Sequence, residues 1–119
     1  MSRSDTSPLR RTFPVPGGPP VRLRLAGPSD GDGVRALLAR RELEATDLEL
    51  RRLLAFDPSR RHVLAALAPL DGAETVVGVG SIDNGEDAPD VLVVDERLPG
   101  LSAVMGRVLI ERARGRRAA

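Results

Sequence analysis

Three observations place this sequence in the α/β (α+β) class. One early run alternates apolar and charged residues with period two, three runs repeat apolar residues at helical spacing, and three more are short apolar segments between strong turn signals. Taken in order they read β-α-α-β-β-β-α, with no internal repeat. A chain of 119 residues has the length of one domain. Apolar residues make up 41% of it, but only Phe13 and Phe56 are aromatic, so leucine, valine and alanine must fill the core.

Residues 1–20 hold five of the ten prolines and show no periodicity, which predicts a flexible Pro/Arg-rich leader. Removing that leader is expected to leave the melting temperature within a few degrees. The run Val21-Arg-Leu-Arg-Leu-Ala26 predicts a half-buried strand, ended by Gly27-Pro28. Ser29 with Asp32 predicts a helix N-cap box, followed by Val34, Leu37, Leu38 and Arg41 at helical spacing. Thr46 with Glu49 predicts a second box, with Leu50, Leu53 and Leu54 on one face and Pro58 closing the helix. Residues 62–68 and 75–82 read as strands joined through a hairpin turn at Asp71-Gly72. Gly78 and Gly80 mark a bulge or a close backbone approach. After a loop over 83–89, Val91-Leu-Val-Val94 reads as a buried strand. Leu101, Val104, Met105, Val108, Leu109 and Ala113 then give one apolar stripe on a helix over 101–115, and residues 116–119 form a basic tail.

Composition removes several kinds of chemistry. With no cysteine there is no disulfide, thiolate nucleophile, zinc finger or iron–sulfur cluster. All 18 basic residues are arginine, which excludes a Schiff-base lysine and a P-loop. Tyrosine and tryptophan are absent, and with them two common proton donors and most base-stacking platforms. No metal site is expected. The acidic residues between 83 and 90 lack the spacing of a calcium loop. The arginine-rich end reads as a solvated helix terminus complementing its own dipole, so nucleic-acid binding is not expected. No apolar run is long enough to span a membrane, and no apolar signal core follows the N-terminus; the expected location is cytoplasmic.

The opening Val21-Arg-Leu-Arg-Leu-Ala-Gly-Pro-Ser-Asp30, the turn Asp71-Gly72 before Val76-Val-Gly-Val-Gly80, and the strand–loop–helix over 91–113 resemble the N-terminal two-thirds of a GNAT domain. That family comprises acyl-CoA-dependent N-acyltransferases. Arg22 or Arg24, Ala26 and Asp30 match its first motif, and the resemblance covers about 95 residues. It implies a mixed, mostly antiparallel four-stranded sheet with helices on both faces, a shortened GNAT-like domain over 21–115. The family's fifth strand, fourth helix and closing hairpin have no counterpart here, nor does the tyrosine that the later helix commonly supplies.

The family's functional centre is a loop of pattern [QR]-x-x-G-x-[GA] opening a helix, where backbone N–H groups and the helix dipole hold the CoA pyrophosphate. In one alignment Arg97, Gly100 and Ser102 fall on that pattern within Arg97-Leu-Pro-Gly-Leu-Ser102. Alignment on the preceding strand shifts the register by two, putting Pro99 on the arginine position and Val104 on the final glycine. The resemblance thus implies acetyl-CoA or another acyl-CoA as substrate, held by Val93, Val94, Arg97, Leu98, Gly100, Leu101 and Ser102. Family members often place a base near this strand, which makes Asp95 and Glu96, with Asp90, the candidate proton acceptors. His62, the single histidine, reads as a boundary residue at a strand start.

Two readings stay open: an N-acyltransferase of unknown acceptor amine, completed by another chain, and a non-catalytic binding or assembly module retaining part of the fold. Either way Val91–Val94 would lie at an unprotected sheet edge, which points to a homodimer or to a partner chain supplying the missing strands.

Overall fold

A computed structural model describes residues 12–118 of the chain, with side chains over residues 12–115. Five strands form one sheet in sequential order: β1 (Thr12–Phe13), β2 (Val21–Leu25), β3 (Arg61–Leu70), β4 (Ala73–Asp83) and β5 (Val91–Val94). Every neighbouring pair is antiparallel. The helices are α1 (Gly31–Arg40), α2 (Asp47–Leu54) and α3 (Leu101–Ala118). The sheet therefore has five strands rather than four, and no parallel pair among the described residues.

The additional strand lies in the segment that composition marks as a leader. Phe13 pairs with Val21 and Thr12 with Arg22. Proline is compatible with this place because β1 is an edge strand, and Pro14 follows its last residue. Val15 is buried against the sheet, so the folded part begins by Thr12, ahead of the expected Val21. Residues 1–11 and the side chains of the basic tail 116–119 lie outside the described residues.

Strand alternation divides the core between two faces. Val21, Leu23, Leu64, Ala66 and Val77 pack under Leu101, Met105, Leu109 and Ala113 of α3. On the opposite face Val63, Ala65, Leu67, Val76 and Val79 pack against Val34 and Leu37 of α1 and Leu50 and Leu54 of α2. Helices thus cover both faces, as expected. The helical stripe over 101–113 is confirmed, with Leu101, Met105, Leu109 and Ala113 all fully buried.

Local signals account for most boundaries. Asp71 and Gly72 form the two-residue turn of the β3–β4 hairpin at positive φ, 53° and 81°. Thr46 Oγ1 accepts from the Glu49 N–H at 3.1 Å and Glu49 Oε1 from the Thr46 N–H at 2.8 Å, the reciprocal box expected for α2. The start of α1 differs from expectation. A 3-10 turn over Pro28–Asp30 precedes it, and Asp30, not Ser29 with Asp32, does the work. Its carboxylate accepts from the Gly27 N–H at 2.8 Å and from both terminal nitrogens of Arg24 at 2.6 and 2.8 Å. Burial opposes ionisation of Asp30, but those hydrogen bonds outweigh it and hold its carboxyl below the usual range.

β4 carries a bulge. Ala66 pairs with Gly78 and Leu67 with Val76, leaving Val77 as the extra residue. Beside it, the lack of a side chain at Gly78 admits α3: a Cβ there would lie 2.6 Å from Met105 Sδ and 3.1 Å from Leu101 Cδ2. β5 departs from the expected buried strand. All four residues are half-buried, because β4 alone pairs with it among the described residues.

Candidate functional site

β5 leads through residues 95–100 into α3, bringing the predicted site residues onto one short segment. Asp95 directly follows the strand, its N–H donating to Val77 O at the bulge, 2.8 Å away. Its buried carboxylate accepts from the Arg97 N–H at 3.0 Å, from Arg97 Nε and Nη2 at 3.1 Å each, and from Arg40 Nε at 2.9 Å. Arg40 also donates through Nη2 to Val76 O at 2.7 Å, satisfying a carbonyl beside the bulge. One arginine at the end of α1 therefore ties the bulge in β4 to the end of β5. Arg97 reaches on to Asp71 at the hairpin tip, 3.2 Å away.

These contacts set the chemistry. The hydrogen bonds from Arg97 come first, with the Arg97 N–H and Arg40 adding to them against burial; together they hold the Asp95 carboxyl far below the usual carboxylate range. The same pairing raises the Arg97 guanidinium above its ordinary value. A carboxylate held so firmly ionised is a weak base, a poor match to taking a proton from an amine. Glu96 points to solvent and pairs with Arg41 at 3.1 Å.

The expected cofactor contacts are distributed differently. Leu98 and Leu101 are buried in the core under α3. Val93 packs on the α1–α2 side of the sheet and Val94 on the α3 side. Gly100 is covered by the segment after β1, where a Cβ would meet Pro16 Cδ at 3.1 Å and Pro16 O at 3.4 Å. Ser102 Oγ donates to Pro99 O at 3.3 Å. The N–H groups of Asp95, Arg97, Leu98 and Leu101 all donate within the chain, and Pro99 has none to offer. Arg97 and Gly100 share one loop and Ser102 lies in the first turn of α3, but the loop's polar groups largely serve the loop.

At the other end of β5, Asp90 accepts from Arg61 Nη2 at 2.6 Å and Ser81 Oγ at 2.8 Å, while Arg61 Nη1 donates to Asp83 at 2.7 Å. Burial opposes ionisation of Asp90, yet those hydrogen bonds prevail and lower its proton affinity. His62 is buried, with Nε2 2.7 Å from Asn84 Oδ1, and Asn84 Nδ2 donates to Ser59 O at 2.6 Å. That fits its expected place at a strand boundary. No group of three or more His, Cys, Asp or Glu side chains among the described residues is placed to hold a metal ion.

Sequence reasoning missed Arg40 and Asp71 as partners of the loop. Arg40 reads as an ordinary basic residue in the last turn of a helix, and only the fold brings it to Asp95, 55 positions later. Two surface depressions lie away from the loop. One, of about 280 Å³, sits between α1 and α2, where Arg35 is tied to Asp47. The other, of about 440 Å³, runs along the outer face of α3. No helix among the described residues is long and apolar enough to cross a membrane. Compared with family models, curated proteins and solved structures, the chain matches none.

Proposed function

We propose that this chain is a non-catalytic binding module with a partial GNAT-like fold, working through the open side of its sheet. One observation carries the reading: the loop between β5 and α3 is closed on itself. Arg97 is committed to Asp95 and Asp71, and Pro16 covers Gly100. A pyrophosphate would need free N–H donors and an uncommitted cation there. The carboxylates Asp90 and Asp95, at the two ends of the strand where a base is expected, are both held as weak bases.

The acyl-CoA-dependent N-acyltransferase stands as the second reading, favoured by the strand itself. β5 has one edge unpaired among the described residues and runs directly toward the N-terminus of α3, the order in which a pantetheine arm and a pyrophosphate would be met. Titration calorimetry with acetyl-CoA and desulfo-CoA separates the two. The module reading expects no saturable heat into the millimolar range. Saturable binding that is weakened by both Arg97→Glu and Gly100→Pro would replace it with the acyltransferase reading.

A further inference from the structure

We propose that the partner of this module is a second copy of the same chain, docked about a twofold axis through β5 and the outer face of α3. The proposal rests on the binding-module reading above. It starts from two surfaces that meet. β5 is the terminal strand of the sheet, half-buried and apolar from Val91 to Val94, with no proline or charge in it. Next to it, the groove on α3 is formed by Ala103, Gly106, Arg107, Ile110, Glu111 and Arg114. The two are continuous, since a Cβ on Gly106 would lie 3.8 Å from Leu92 Cδ2.

A twofold axis normal to the sheet satisfies both surfaces at once. Pairing β5 with its own copy extends the antiparallel order already present and removes an apolar edge from each chain. The same operation leaves both copies of α3 on one face of the joined sheet and reverses their directions. Since α3 lies over β3, β4 and β5, centred on β4, the two helices run antiparallel about 14 Å apart, three strand spacings, a gap that long side chains on their facing sides can span.

Charge identifies the occupant. Arg107 and Glu111 have no ionic partner among the described residues, although they stand one turn apart on the same face. In an antiparallel helix pair, ascending positions on one helix meet descending positions on the other. Arg107 can then face Glu111 of the partner subunit, and the axis repeats the contact. One surface carries both halves of a complementary pair, as an isologous interface requires. The acids flanking β5 do not oppose the pairing, because Arg61 holds Asp90 at 2.6 Å and Arg41 holds Glu96 at 3.1 Å.

Sedimentation and light scattering on the full chain test this, read against charge-swapped variants. The wild type is expected to reach about twice its 12.7 kDa mass as concentration rises through the micromolar range. Arg107→Glu and Glu111→Arg each place like charges across the axis, so each should weaken self-association by at least about tenfold. Mixing the two variants should restore a dimer, now a heterodimer, and the double variant should restore the homodimer. Melting temperatures check that every variant is folded. A wild type that stays monomeric, or a dimer indifferent to these substitutions, overturns the proposal. If acyl-CoA also fails to bind, the module reading survives with another partner; if acyl-CoA binds, that reading fails first.

Discussion

At one edge of the sheet, β1 is two residues long and runs into Pro14, with Pro16, Pro19 and Pro20 close behind; at the other, β5 offers four apolar residues and no proline or charge. The first edge is too short and too proline-rich to template another strand, and Val15 folds its continuation into the core. The second edge lacks those defences. Its two ends are nevertheless ion-paired: Arg61, shared with Asp83, and Ser81 hold Asp90, and Arg40 and Arg97 hold Asp95. β5 is thus anchored by ion pairs at both ends and apolar between them. The contrast puts internal sealing at β1 and leaves β5 as the edge on which the proposed association rests.

The sharpest way to break this comparison is to release one end of β5. Asp95→Ala leaves Arg40 and Arg97 facing each other without their shared carboxylate. It should cost about 2–4 kcal/mol by urea denaturation, toward the lower part of the range for breaking a buried pair because the arginines reach solvent. The pH dependence has a defined sign. The folded chain lowers the proton affinity of Asp95, so its contribution is complete above the unfolded value of about 3.9 and fades as pH falls below it. The stability gap between wild type and Asp95→Asn should therefore be flat from neutral pH to about 5 and shrink below about 4. A gap that widens in acid would contradict the assigned role.

At the β1 edge the effect should be smaller and purely internal. Val15→Ala should cost about 2 kcal/mol, which for a domain of this size lowers the melting temperature by about 8–15 °C without changing association. Removing residues 1–20 should lower it at least as much, reversing the expectation from composition alone. Smallest of all, Thr46→Ala loses the α2 cap, away from both edges, for about 1 kcal/mol. Its self-association should match the wild type. An effect of Thr46→Ala on association comparable to that of Arg107→Glu would mean that general stability, not the proposed surface, governs assembly.

What could be read from the sequence was whatever the chain decides locally. The Thr46–Glu49 box, the Asp71-Gly72 turn and the stripe from Leu101 to Ala113 each rest on residues a few positions apart, and each stands in the fold. Assignments that depend on distant partners were hidden. Nothing near Arg40 announces Asp95, and nothing near Asp30 says that Arg24 rather than Arg22 will claim it. Val15 was concealed differently: prolines on either side mask a single apolar residue whose burial needs only one good neighbour. At the candidate loop, residue types matched an anion-binding pattern while their geometry turned inward. Spacing gives the donors but not whom they serve.

The packing of the segment after β1 also bears on the order in which the chain assembles. A Cβ on Gly18 would lie 2.3 Å from Leu98 Cδ2, and Val15 and Pro16 border Gly100, so one of the first described segments rests on one of the last. During synthesis that seat does not exist until residues 98–101 have been made. The β3–β4 hairpin and α1–α2 can form earlier from contacts nearer in sequence, while Val15 and its neighbours must wait for residues 98–101 to emerge. Closure of this segment therefore follows the emergence of residues 98–101, and until then Leu98 and Gly100 lack the cover that residues 15–18 give them.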